Sequence, residues 1–223
     1  MYNFTFNIPT KIHFGKDTIS SLSELKAYGS KVLLVYGGGS IKKNGLYDTA
    51  MKILKDAGLT VFELSGVEPN PKIETVRKGV EICKNEGIDM VLAIGGGSTI
   101  DCSKVVAAGA KYDGDAWDLV LDGSEVKAAL PIFDVLTLSA TGTEMDPFAV
   151  ISDMSKNEKW GTGSPYMVPT MSILNPEYTF SVSKKQTAAG TADMMSHTME
   201  NYFSMENAEL PEIYGGGIVT YND

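Results

Sequence analysis

The chain has 223 residues, 43% of them hydrophobic and 21% charged, which is ordinary for a soluble globular protein and enough for a sizeable core. Its formal net charge of -9, dispersed without a basic run or an acidic tail, argues against binding to the phosphate backbone of nucleic acid. No apolar stretch approaches the roughly 20 residues of a membrane-spanning helix, and the start lacks the basic and apolar regions of a signal peptide, so the chain reads as cytoplasmic.

Lys11-Ile-His-Phe14 is an N-terminal strand candidate, in which His13 reads as structural. Lys31-Val-Leu-Leu-Val-Tyr36 is an unbroken apolar run of the kind a buried parallel strand gives, and it ends in Gly37-Gly-Gly-Ser40. A helix is predicted over 46–57 and a strand over 60–64. Asn70-Pro71 then opens a helix, with Asn70 as the cap and Pro71 at the first helical position. Ile73, Val76, Val80 and Cys83 form one face of it. Met90-Val-Leu-Ala-Ile94 is a second buried-strand run, ending in Gly95-Gly-Gly-Ser98 and entering a helix to about residue 110.

Beyond Asp113 the rhythm changes. A short helix is predicted over 117–120, and strands over 131–138, 148–151 and 171–174. Lys159 and residues 161–164 are assigned to a loop or hairpin. Residues 183–203 read as a long helix, with Ser183 and Gln186 at capping-box spacing. Pro211 and Gly215-Gly-Gly217 argue against a helix in the last stretch. Apolar strands alternating with helices predict an α/β fold. Its parallel sheet is covered on both faces, with the strand-to-helix turns on the edge where such sheets bind ligands. Cys83 and Cys102 lie in apolar helical patterns and read as buried thiols.

Gly95-Gly-Gly-Ser-Thr-Ile-Asp101 follows a strand and opens a helix, the context of a phosphate-binding turn. The alternative is a tight turn in which Ser98 and Asp101 form a capping box. Gly37-Gly-Gly-Ser40 is a second such turn, one strand–helix–strand unit earlier, and two on one edge favour a dinucleotide. Neither is the G-x-G-x-x-G fingerprint. The first turn carries Ser40 and Lys43 where an acidic residue would hold a ribose 2′-hydroxyl. Lys43 suits a 2′-phosphate, which leans the reading towards NADP, or it is a solvated lysine. Thr141 and Glu144 have capping-box spacing, so Ser139-Ala-Thr-Gly-Thr-Glu144 suits a structural cap or a phosphate or ribose contact. Asp193 and His197 are four apart on one helical face. They are compatible with a shared divalent cation, a surface pair or a core histidine bonded to an aspartate. Gly190, on the same side, would leave room for a ligand.

Taken together, these stretches resemble the iron-containing alcohol dehydrogenases, specifically the butanol dehydrogenase branch. The matching motifs are Pro9-Thr-Lys-Ile-His-Phe-Gly15, Tyr36-Gly-Gly-Gly-Ser-Ile-Lys-Lys-Asn-Gly45, Gly66-Val-Glu-Pro-Asn-Pro71, Ala93-Ile-Gly-Gly-Gly-Ser-Thr-Ile-Asp-Cys-Ser-Lys104, Leu136-Thr-Leu-Ser-Ala-Thr-Gly-Thr-Glu-Met-Asp146 and Gln186-Thr-Ala-Ala-Gly-Thr-Ala-Asp-Met-Met-Ser-His197. They run in order over about residues 3–204.

The resemblance implies a Rossmann-like domain of dehydroquinate synthase-like architecture over 1–182. Residues 183–204 would be the first helix of an all-helical metal-binding domain, and 205–223 a tail that matches nothing in the family. It implies that Gly37, Gly38, Ser40 and Lys43 lie at the adenosine-ribose end of NAD or NADP, and Asn70 near the adenine. Gly95, Gly96, Gly97 and Ser98 cradle the pyrophosphate, with Asp101 in the same motif. Thr137, Leu138 and Thr141 face the nicotinamide, Lys159 is a further cofactor contact, and Asp193 and His197 are the first two ligands of Fe²⁺ or Zn²⁺. The implied reaction is hydride transfer between a primary alcohol or aldehyde and the nicotinamide. Family members are often homodimers.

The family supplies two more histidine ligands from its helical domain, whereas no histidine follows His197 here. The expectation is therefore a chain with little activity alone, and an apolar patch at Met194, Met195, Met199 and Tyr202 where lost neighbours would pack. A nucleotide-binding remnant without catalysis is the competing reading. A lyase of the dehydroquinate synthase type is disfavoured by the butanol dehydrogenase-like motifs.

Overall fold

The structure, a computed structural model, describes residues 7–203. The tail expected at 205–223 and the side chain of Tyr202 lie outside what is described. In chain order the elements are β1 (Lys11–Phe14), a 3₁₀ segment (Thr18–Ala27), β2 (Lys31–Tyr36), α1 (Ser40–Lys43), α2 (Leu46–Asp56), β3 (Thr60–Leu64), α3 (Ile73–Glu86), β4 (Met90–Gly95) and α4 (Gly97–Gly109). After these come α5 (Ala116–Leu121), β5 (Ile132–Leu136), β6 (Phe148–Asp153), β7 (Glu158–Gly163), β8 (Met171–Leu174) and α6 (Lys184–Tyr202).

Six strands form one parallel sheet in the order β1-β8-β5-β4-β2-β3, and β6 and β7 form a separate antiparallel hairpin. The apolar runs of β2 and β4 have a simple cause. Val32, Leu34 and Tyr36 feed a core under the 3₁₀ segment, α1 and α2, while Leu33 and Val35 feed a core under α3 and α4. A strand buried on both faces has no polar positions to alternate with. This is the α/β, Rossmann-like parallel sheet that the sequence predicts.

From β2 the chain moves outward to β3, then returns to place β4 on the other side of β2. The strand order reverses between β2 and β4, which makes that junction the switch point of the sheet. Ligands of open α/β sheets bind outside the carboxyl ends of the strands at such a point.

Several local expectations are corrected. Asn70 does not cap α3. It has a left-handed backbone (φ 55), and Lys72 is the N-cap residue. Ser98 and Asp101 form no capping box, because α4 starts at Gly97 after Gly96 without a side-chain cap. Thr141 and Glu144 open no helix, since the chain there makes irregular turns. Of the two alternatives for Lys159 the hairpin holds: it lies in β7, whose register pairs it with Ser152. At α6 half of the expected capping box is present, with Gln186 N–H donating to Ser183 Oγ at 3.3 Å. Cys83 and Cys102 are buried as expected, and burial pushes both thiols up to about 12, which leaves them unreactive.

Candidate functional site

The two glycine turns flank the switch point, Gly37 to Gly39 after β2 and Gly96 and Gly97 after β4. Gly39 needs its glycine because its φ of 98 is one that L side chains rarely adopt. The first turn is braced from behind, where the N–H groups of Gly66 and Val67 donate to the carbonyls of Gly37 and Tyr36, each at 3.2 Å. A Cβ on Gly38 would meet nothing within 4 Å, so that face of the turn is open. Ser40 and Lys43 stand exposed on the single turn of α1. Lys42 is also exposed, and its Nζ lies 4.4 Å from the centre of the Tyr47 ring and 3.8 Å from Glu63, on the side of the two tyrosines.

The second turn is tighter. A Cβ on Gly95 would come within 2.4 Å of Thr99 Oγ1, and one on Gly97 within 2.9 Å of Thr141 Oγ1. One on Gly96 would sit 3.4 Å from Leu138 Cβ, an ordinary contact. The N–H groups of the first turn of a helix have no intrahelical partner. In α4 the Thr99 N–H is taken by the Gly96 carbonyl at 3.0 Å, so the N–H groups of Gly97 and Ser98 are the ones at the switch point, where the helix dipole also favours an anion.

Residues 137–146 lie along this turn. Thr137 N–H donates to the Gly95 carbonyl at 2.9 Å, extending the ladder past β5. Leu138 and Thr141 then pack beside Gly96 and Gly97. Across the edge, Lys159 Nζ donates to Asn70 Oδ1 at 2.8 Å, joining two predicted contacts 89 residues apart in sequence. Ser152 N–H donates to the Pro71 carbonyl at 2.9 Å, which seats the hairpin on the same loop.

Asp101 acts on the site through others. Its carboxylate accepts from Thr143 Oγ1 at 2.7 Å and from Val150 N–H at 3.0 Å, tying α4 to residues 137–146 and to the hairpin. Burial pushes this carboxyl above the usual range. Beneath it lies Lys104, fully buried, whose Nζ shares its three N–H bonds among Thr143 Oγ1, Asp146 (its carbonyl and Oδ1) and the Phe148 carbonyl, all at 2.7–2.9 Å. Sequence reasoning gave Lys104 no role. Its signal was a lone charge in the apolar run from Cys102 to Ala108.

Gly190 does not leave room for a ligand. It is buried on α6, and a Cβ there would lie 2.9 Å from the Ser139 carbonyl oxygen. The glycine lets α6 touch the segment that continues β5. Asp193 and His197 lie one and two turns further along, with Asp193 Oδ2 3.7 Å from His197 Nε2 and both side chains almost half exposed. Carboxylate and imidazole are suitable donors for a first-row divalent cation. Among the described residues, no third histidine, cysteine or acid joins them. Met194, Met195 and Met199 on this helix, and Phe203 just beyond it, are exposed. Among the described residues, no helix is long and apolar enough to cross a membrane.

The family described as "Iron-containing alcohol dehydrogenase" matches residues 9–176. The chain belongs to the iron-containing alcohol dehydrogenase family. It is 62% identical over 205 residues to a protein of Clostridium acetobutylicum named NADH-dependent butanol dehydrogenase A, covering 92% of this chain and 53% of that protein. It is 38% identical to an Escherichia coli protein named NADPH-dependent aldehyde reductase, covering 98% of this chain and 57% of that one. Among solved structures, NADH-dependent butanol dehydrogenase A of Thermotoga maritima superposes with a TM-score of 0.88 at 49% identity, over 91% of this chain and 52% of that one. The chain thus spans about half the length of the relatives it matches.

Proposed function

We propose that this chain is the nucleotide-binding part of a metal-dependent alcohol dehydrogenase acting on a primary alcohol or aldehyde such as butanol or butanal. The observation that carries this is the convergence of both glycine turns on the switch point between β2 and β4. A dinucleotide laid along that edge has its pyrophosphate at Gly95, Gly96, Gly97 and Ser98. Its adenosine ribose is at Gly37, Gly38, Ser40 and Lys43, its adenine beside Asn70 and Lys159, and its nicotinamide near Thr137, Leu138 and Thr141. Asp101 holds this frame together rather than touching the phosphates, because both of its oxygens are engaged within the chain. Exposed Lys43 supports a 2′-phosphate, whereas the relatives named as butanol dehydrogenase A are NADH-dependent by name.

Asp193 and His197 would supply two of the ligands of a divalent cation, iron by the name of the family. Bound there, the cation would supply Lewis acidity towards the substrate oxygen. The residues of this chain orient the nucleotide that carries the hydride. Two ligands hold a catalytic cation weakly, and the remaining histidine of this sequence, His13, sits in β1. The expected result is nucleotide binding with little or no turnover of butanal by NADH or NADPH when Fe²⁺ or Zn²⁺ is supplied. Turnover near that of an ordinary dehydrogenase would overturn the expectation that the two-ligand set is insufficient. The second reading, a nucleotide-binding module without catalysis in any context, rests on the same two-ligand count. It is refuted if a longer chain that continues this sequence turns over butanal.

A further inference from the structure

Asp134 stands in the middle of β5, in register with Ala93 of β4 and Ser172 of β8. It is fully buried and its side chain meets another polar group of the interior. Ser172 Oγ lies 2.6 Å from Asp134 Oδ2 and 2.7 Å from the carbonyl oxygen of Glu144. A serine hydroxyl carries one proton. A carboxylate and a carbonyl are both acceptors only, so that single proton cannot serve two contacts of this length. The second contact needs a hydrogen from elsewhere, and among the groups involved only Asp134 can hold one. Asp134 Oδ1 has no hydrogen-bond partner, which the C=O of a neutral acid tolerates far better than half of a carboxylate.

The charged groups around Asp134 agree. Lys104 faces it from α4, but its ammonium is given to Thr143, Asp146 and Phe148. Glu144 faces it from the 137–146 segment and adds negative charge, with Asp146 beyond, paired to Lys104. Ala93 and Ser172 on the neighbouring strands bring no charge.

We propose that Asp134 is a neutral carboxylic acid that donates to Ser172, so that Ser172 donates to the Glu144 carbonyl and pins residues 137–146 against the second glycine turn. Asp134 is then a positioning residue for the nicotinamide side of the groove. That consequence rests on the nucleotide-binding reading, while the protonation itself does not.

Burial also holds the Asp134 carboxyl well above the usual carboxylate range. In the unfolded chain it returns to about 4. Between those values the folded protein binds one more proton than the unfolded one. The stability from this proton is therefore complete below about pH 4 and is lost as pH rises towards the folded value. Asp134→Asn keeps a donor to Ser172 and removes the titration. Glu144, also raised by burial, is present in both proteins, and its charge, which acts on Asp134, adds to the same trend with pH.

The test is infrared spectroscopy with thermal unfolding between about pH 5 and 9. At neutral pH the unmodified chain has a protonated-carboxyl C=O band that Asp134→Asn lacks, and the difference in melting temperature grows in favour of Asp134→Asn as pH rises. A band difference confined to the carboxylate region, or a melting difference independent of pH, overturns the proposal. Ser172→Ala leaves Asp134 in place and serves if Asp134→Asn fails to fold. It shifts the C=O band to higher frequency, and an unshifted band also overturns the proposal. NADH affinity falls several-fold in Ser172→Ala and stays near that of the unmodified chain in Asp134→Asn. Equal affinity in Ser172→Ala refutes the pinning. Absence of NADH binding in the unmodified chain would sink the functional reading while leaving the infrared result to stand or fall alone.

Discussion

Replacing Lys104 with methionine lowers the unfolding free energy by about 3–5 kcal/mol, the cost of breaking a buried ion pair from one side. The fold survives as methionine fills the space of the aliphatic stem. What is lost is the only ammonium among four acceptors: Thr143 Oγ1, Asp146 Oδ1 and the carbonyls of Asp146 and Phe148. The carboxylate of Asp146 is left buried without its counter-charge, although it still accepts from Phe148 N–H at 2.8 Å. For a domain of this size the midpoint falls by roughly 10 °C. Lys104→Met/Asp146→Asn recovers part of the loss, because the orphaned charge is gone while two carbonyls still lack a donor. Urea unfolding of the three proteins measures this. A loss below about 1 kcal/mol would mean that the network is relaxed or hydrated.

A bulky residue at Gly190 has a different, local effect. Among the residues of α6 whose burial is described, Gly190 is the buried one, and it rests on the Ser139 carbonyl. Gly190→Val places two further carbons where even a Cβ would lie 2.9 Å from that oxygen. The carbonyl belongs to a backbone held by the β5 extension and by Lys104 through Thr143, so α6 is the part that moves. Hydrogen exchange by mass spectrometry is expected to find lost protection across 184–200 and unchanged protection in β2 and β4. Loss of protection across the sheet would contradict this, because it would make the contact part of the global core. With α6 displaced, Gly190 leaves residues 139–140, and Asp193 and His197, one and two turns further along, move with the helix.

The sheet was legible because its strands are nearly pure. Lys31 to Tyr36 and Met90 to Ile94 leave no polar face, and the glycines that follow mark where each strand stops. The glycine edge was legible for the same reason. What escaped depends on contacts between distant residues. Lys104 and Asp134 are lone ionisable residues inside apolar runs, a visible anomaly, but their partners lie 38–44 residues away. Thr141 and Glu144 have the spacing of a cap, yet no helix follows, because Ser172 and Lys104 hold that segment in turns. Asn70 looks like a helix cap by its residue type. Its left-handed backbone instead turns the side chain to Lys159, which no local pattern could announce.

Calorimetric titration of NADH and of NADPH into this chain and into Gly96→Ala measures the central claim directly. The added methyl meets only Leu138, at 3.4 Å, so the empty fold accommodates it, while the approach of a pyrophosphate to the start of α4 is obstructed. The account predicts one-to-one binding of at least one nucleotide to the unmodified chain and at least tenfold weaker binding to Gly96→Ala, with the two proteins melting within about 1 kcal/mol of each other. Equal affinity in the two proteins, or no binding of either nucleotide to the unmodified chain, would contradict it.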